Sequence, residues 1–209
     1  MIQTNSASKS KLALLSCLFL LVAMCCFGIT REPSMLPTAN REFYHPTDVG
    51  TTWADGDGFD CVVTAVETKG ESKIVTYNIL DANGEVERTC RRRVTVENVF
   101  DIDDEEETRL YQFRFTAKKG DVFRIDSCFP GNVPVKITCE VREKEEIKVP
   151  AGTFVALPVR ETIVINCPGD QVVIRAQTTW YASGVGPIRT VSEKGVEYEL
   201  KRFKQARTK

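Results

Sequence analysis

From Phe43 onward the chain alternates apolar and polar side chains at period two, interrupted at intervals by turn residues, the pattern of strands with one buried face. Val75, Tyr77 and Ile79 fall on one face of such a strand, and Thr76 and Asn78 on the other. The turn Asp81-Ala-Asn-Gly84 offers glycine where a hairpin needs positive φ and returns the chain through Val86. Tyr111, Phe113 and Phe115 alternate with Gln112, Arg114 and Thr116, which predicts an aromatic strand face closed by Lys119-Gly120; Ile137, Cys139 and Val141 continue the pattern. A second hairpin is expected where the long β-branched segment Thr153 to Asn166 turns at Cys167-Pro-Gly-Asp170. It returns from Gln171 to Ala182 with Val172, Ile174, Ala176 and Trp180 in step. Lys194-Gly195 joins a last pair, Ile188 to Glu193 and Val196 to Phe203.

Helical periodicity is weak throughout this part, and a short helical turn is expected only in the acidic stretch Asp101 to Arg109. The pattern amounts to about nine or ten strands with connections short enough for antiparallel neighbours. The expected fold class is all-β: an antiparallel meander curled into an open or closed barrel, with a two-sheet sandwich as the alternative.

The first residues break with this pattern. Lys9 and Lys11, with no acid nearby, precede an uncharged run from Leu12 to Ile29. That is the layout of a signal peptide, and at about 18 residues the run also reaches the length of an uncleaved anchor. Cys26 and Gly28 would serve a cut before Ile29, whereas a lipoprotein cut would leave Cys25 or Cys26 as the lipidated residue, with Met24 a poor match to the small residue normally preceding it. All three routes export the C-terminal domain, to the periplasm, the cell envelope or the medium. Arg31 to Asn40, with Pro33 and Pro37, reads as a linker. The expected organisation is a signal peptide or membrane anchor over 1–28, a flexible linker over 29–42, one β domain over 43–204 and a disordered tail over 205–209.

Charge adds little: beyond Gly28 the chain carries 26 Lys and Arg against 29 Asp and Glu, so nothing pulls it toward nucleic acid, and membrane contact is expected only through the N-terminal segment. Five cysteines remain in that part, Cys61, Cys90, Cys128, Cys139 and Cys167; the odd count leaves at least one unpaired, and no CxxC spacing points to zinc or redox chemistry. Cys139, in step with Ile137 and Val141, reads as a buried thiol.

Candidate chemistry is sparse. The single histidine, His45, stands before Pro46 and reads as a surface or turn residue, and no GxSxG occurs. Asp101 to Glu107 and the Asp55, Asp57, Asp60 cluster are the acidic groupings a calcium ion would want, but both read more simply as loops. Arg91, Arg92 and Arg93 alternate across a strand, so one side of the triplet is expected to meet acid, with the run just downstream as the partner. Tyr111, Phe113, Phe115 and Trp180 are either core or the lining of an apolar cavity. The basic end, Lys201 to Lys209, reads as frayed, and Gly152, Gly184 and Gly186 as turn glycines. No catalytic, metal or cofactor-binding residue is assigned.

Three stretches together carry a resemblance. Phe43-Tyr-His-Pro-Thr-Asp-Val-Gly50 with Trp53, Val149-Pro-Ala-Gly-Thr-Phe154 and Thr179-Trp-Tyr-Ala-Ser-Gly-Val-Gly186 resemble, in this order, the "FP..VG..W", "VPAGTF" and "WYA.GVG" blocks of uncharacterised secreted bacterial proteins abundant in planctomycetes. Ser183 stands where that group often has Pro, and Pro187 where it usually has an apolar residue. The resemblance implies a secreted β protein of unknown function, similar to the half-barrel of lipoprotein carriers, and it carries over no catalytic residue. The functions expected are a non-catalytic exported protein that binds an apolar ligand or another envelope component, a structural or assembly protein of the envelope, or a carboxylate-dependent hydrolase. The last needs two acids roughly 5 to 10 Å apart in a cleft.

Overall fold

A computed structural model describes residues 42–54, 59–104, 106–129, 133–167 and 170–206, without the side chains of 128, 129, 133, 166, 167, 170, 171, 173 and 174. The export segment with Cys25 and Cys26, the residues 55–58 that include Asp55 and Asp57, and the side chains of Cys128 and Cys167 lie outside the described residues.

The described chain is all-β and antiparallel, as the alternation implies. It has fourteen strands: β1 Thr52–Ala54, β2 Asp60–Lys69, β3 Ser72–Leu80, β4 Val86–Val94, β5 Val99–Asp103, β6 Glu106–Arg109, β7 Val122–Phe129, β8 Val133–Val141, β9 Glu145–Val149, β10 Gly152–Cys167, β11 Asp170–Ala182, β12 Gly186–Ser192, β13 Gly195–Glu199 and β14 Arg202–Lys204. They do not form one sheet closed into a barrel. One seven-stranded sheet runs β14-β1-β2-β3-β4-β5-β6; the other runs β13-β12-β11-β10-β8-β7, with β9 also paired to β10. The two-sheet arrangement is therefore the one adopted. It arises because the chain leaves the first sheet after β6, builds the second, and returns through β14, which pairs Phe203 with Trp53.

Both expected hairpins form. Asp81 and Gly84 close the β3–β4 turn, with the Asp81 carboxylate accepting from the Asn83 and Glu85 N–H groups and Gly84 at φ +82°. Residues 156–167 pair with 170–182, with a register shift after Ile163. A second irregularity matters for the core. The β2–β3 register slips between Val63 and Ala65, so Cys61 and Val63 and then Val66 face inward.

Three expectations fail, each for a local reason. The acidic stretch is a β5–β6 hairpin rather than a helical turn, with Asp104 at φ +42°. The segment from Tyr111 to Phe115 is not a strand. It is a loop whose carbonyls at Tyr111 and Phe113 accept from the buried Asn98 amide at 2.9 and 2.7 Å, and all three of its aromatic rings join the core. Lys201 to Lys204 is not a frayed end, because β14 pairs with β1 and Arg202 reaches Asp60 at 2.7 Å.

The sheets meet through two apolar clusters. The larger takes Val63, Val75, Val94 and Val99 from the first sheet, Cys139, Val141, Leu157, Val159 and Tyr181 from the second, and Tyr44, Phe113 and Phe115 from loops. Tyr44 stacks flat on Phe115 at 4.3 Å. The smaller comprises Val149, Ala156, Ala182, Ile188 and Leu200. Trp53 packs against both. Each fully buried aliphatic side chain contributes about 1.5–3 kcal/mol, which makes this inter-sheet contact the main source of stability.

Candidate functional site

Where the two clusters meet, the sheets leave a cleft of about 480 Å³. Its first wall comes from β1 to β4: Trp53, Cys61, Tyr77 and Ile79, with Arg88 and Arg92. Thr179 and Tyr181 of β11, Pro187 and Thr190 of β12, Tyr198 of β13 and Leu200 form the opposite wall. The loop before β1 adds His45 and Pro46. Two other hollows, of about 550 and 620 Å³, have mixed polar and apolar linings with Arg109 and Arg114 in both. They lack the paired aromatic walls of the inter-sheet cleft.

The arginines reach the cleft because of strand period. In the β3–β4 pairing Arg88 lies opposite Ile79, Cys90 opposite Tyr77 and Arg92 opposite Val75. Positions 88, 90, 92 and 94 thus share the face that carries Tyr77 and the buried Val94. Arg91 and Arg93 face the other way. The triplet meets acid on both sides, not one: Arg92 Nε donates to Asp101 at 2.7 Å, and Arg93 grips both oxygens of Glu107 while lying 4.0 Å from the Phe100 ring centroid. Two carboxylates of the acidic run are thereby engaged with arginines.

His45 corrects the sequence reading most directly. It is 3 % exposed, not a surface residue. Its Nδ1 donates to the Pro46 carbonyl at 2.8 Å, which leaves Nε2 unprotonated to accept from Arg92 Nη1 at 3.2 Å. Burial, reinforced by the Arg92 charge, pushes its pKa down to about 3. The ring is therefore neutral, and both nitrogens are occupied. Its chemistry here is structural: with Asp101 on one side and the Tyr77 ring 5.0 Å below, it fixes the Arg92 guanidinium from three directions. On the opposite wall the Thr179 and Thr190 hydroxyls hydrogen-bond at 3.0 Å.

The sequence-derived candidates fall elsewhere. Tyr111, Phe113 and Phe115 are core: they contact one another and Tyr181 at centroid distances of 5.0 to 5.9 Å, and none lines the cleft. Trp180 points away from it, packing on the smaller cluster with its Nε1 donating to Glu145 at 2.6 Å; Thr179 and Tyr181 carry the inner face instead. Cys139 is buried as expected, its thiol pushed up to about 12 by desolvation and the nearby Glu161. Cys61, Cys90 and Cys139 form no disulfide. Among the described residues, no three His, Cys, Asp or Glu side chains stand together as a metal site, and Asp60 is engaged by Arg202. Sequence reasoning did not single out Arg88, and it named Arg92 and His45 without placing either at a cleft. The signal available was the placement of Arg88 and Arg92 on the same strand parity as Val94, an exception to polar-out alternation.

Two of the three sequence blocks build this region. Gly184 N donates to the Phe43 carbonyl at 2.6 Å, and Gly186 takes φ +101°, a conformation that favours glycine, beside the Tyr44 carbonyl. His45 and Trp53 of the first block and Tyr181 and Val185 of the third line the cleft.

No family model matches the chain, and no curated protein matches it. Two solved structures are similar in fold at 18 % identity over 78 % of this chain. One is a lipoprotein candidate from Parabacteroides distasonis ATCC 8503, covered over 99 % of its length with a TM-score of 0.47. The other is an exported-protein candidate with a YmcC-like fold from Bacteroides fragilis NCTC 9343, covered over 100 % with a TM-score of 0.49.

Proposed function

We propose that this chain is an exported, non-catalytic protein that holds a small apolar or amphipathic ligand between its two sheets. The cleft carries the reading. At about 480 Å³ it falls within the range of roughly 300–1,000 Å³ typical of small-molecule sites, with mostly aromatic and aliphatic walls and a few fixed polar groups. Export rests on the sequence: Lys9, Lys11 and the uncharged run from Leu12 to Ile29. The non-catalytic part rests on His45, whose two nitrogens are occupied and whose basicity burial has removed. It rests also on a described cleft lining without Asp or Glu, where a carboxylate-dependent hydrolase would need a facing pair.

The test uses full-length protein. Solvent extraction followed by mass spectrometry returns a co-purified apolar or amphipathic species. Titration of a Trp180→Phe variant with dodecanol then changes the emission of the remaining tryptophan, Trp53. Protein that yields no ligand and shows no emission change refutes the reading.

A further inference from the structure

Every ionised side chain lining the described cleft has the same sign. Arg88 and Arg92 are there, and no carboxylate is, although Asp and Glu outnumber Lys and Arg by 29 to 28 in the chain. The two arginines are not equivalent. Arg92 is compensated: Asp101 takes its Nε–H at 2.7 Å and His45 one of its other donors, so its charge is held by the protein itself. Arg88 forms no ion pair or hydrogen bond with any described residue and is solvent-exposed. Its backbone position opposite Ile79 puts it on the strand face that borders the cleft, and it lines that cleft while staying exposed to water. The His45 ring is neutral and contributes no charge. Arg88 and Arg92 lie four residues apart on one strand, about 14 Å between backbones at about 3.4 Å per residue, so they are two separate positions along the cleft rather than one shared anion site.

A low-dielectric cleft lined by one sign of charge concentrates counter-ions of the opposite sign. An unpaired guanidinium presents a planar fork that matches carboxylate and phosphate oxygens. We propose that the cleft selects amphipathic ligands carrying one oxyanion, a carboxylate or phosphate group, with Arg88 as the side chain that meets it while the apolar body lies between Trp53, Tyr77 and Tyr181. This proposal rests on the ligand-binding reading above and names the ligand class.

The experiment titrates full-length Trp180→Phe protein, through Trp53 emission, with dodecanoate, dodecyl phosphate, dodecanol and dodecyltrimethylammonium below their aggregation concentrations. At least one anion is expected to bind roughly tenfold more tightly than dodecanol, as a charge-assisted hydrogen bond supplies, and the cation more weakly; the tighter of the two anions identifies the oxyanion. In the background of Arg88→Gln, a substitution that breaks no hydrogen bond or ion pair with a described residue, the anion's advantage over dodecanol is lost. Equal binding of dodecanol and both anions overturns the anion proposal and leaves the ligand-binding reading standing, as does an anion advantage that survives Arg88→Gln. Binding of none of the four overturns both.

Discussion

His45 makes the stability of this fold depend on pH in a calculable way. The ring is buried, neutral and poised against a guanidinium, so its pKa falls from the ordinary 6.5 to about 3 in the folded chain. A basic group with a depressed native pKa binds fewer protons folded than unfolded between those two values. The stabilisation is therefore complete above pH 6.5 and is lost progressively as pH falls toward 3. From pH 7 to pH 5 the unfolded chain protonates His45 almost fully and the native chain hardly at all, which removes about 2 kcal/mol at about 1.4 kcal/mol per pKa unit. Urea unfolding at the two pH values measures the change. Glu161 acts in the opposite sense: burial raises its pKa above 4.5, so its contribution grows as pH falls. The comparison that isolates the histidine is with His45→Gln, whose side chain can hydrogen-bond to both Pro46 and Arg92 but does not titrate. That variant carries its own cost at both pH values, and only the difference in slope matters. Wild type should lose about 2 kcal/mol more than His45→Gln between pH 7 and pH 5; equal losses in the two proteins would refute the neutral, buried assignment.

Three further outcomes depend on particular contacts. Asn98→Leu removes the amide that holds the Tyr111 and Phe113 carbonyls and leaves both without that partner, so unfolding free energy in urea should fall by about 2–4 kcal/mol; a loss below about 0.5 kcal/mol would contradict the loop's dependence on it. Gly186→Ala forces a side chain into φ +101° and toward the Tyr44 carbonyl, a cost of about 1–2 kcal/mol read from the same unfolding curves. Cys139, 1 % exposed and with its thiol pushed up to about 12, should resist iodoacetamide at pH 8 in native protein and react on unfolding, as peptide mass spectrometry would show.

The strands with a clean buried face were legible, because alternation reports the side-chain period directly. Val75 and Tyr77 lie on the inner face of β3, and the Asp81–Gly84 turn has the geometry its residues demand. Period two does not by itself specify a strand, however. Tyr111, Phe113 and Phe115 are spaced like one, yet Asn98 takes two of the carbonyls a neighbouring strand would have bonded, and the segment stays a loop. The division into two sheets was hidden for a different reason. It depends on pairings such as Trp53 with Phe203, between residues far apart in sequence.

The cleft was hidden in the same alternation that revealed the strands. By residue type, Arg88 and Arg92 belong outside; by position, they share the face of Val94, which is fully buried. An inward arginine held by a carboxylate and a neutral histidine gives little net stability, since desolvating such groups offsets most of what their contacts return. The sheet would gain as much from an apolar side chain at position 92. Packing therefore does not explain why the inner face carries this polar seam, at the junction where Trp53 bridges two clusters that otherwise close the sheets on each other. Places where a sequence breaks its own pattern at a cost to the fold are where ligand chemistry is expected. Here the break adjoins the cleft, and the arginine left unpartnered by the described residues, Arg88, lies on the exposed end of the same strand face.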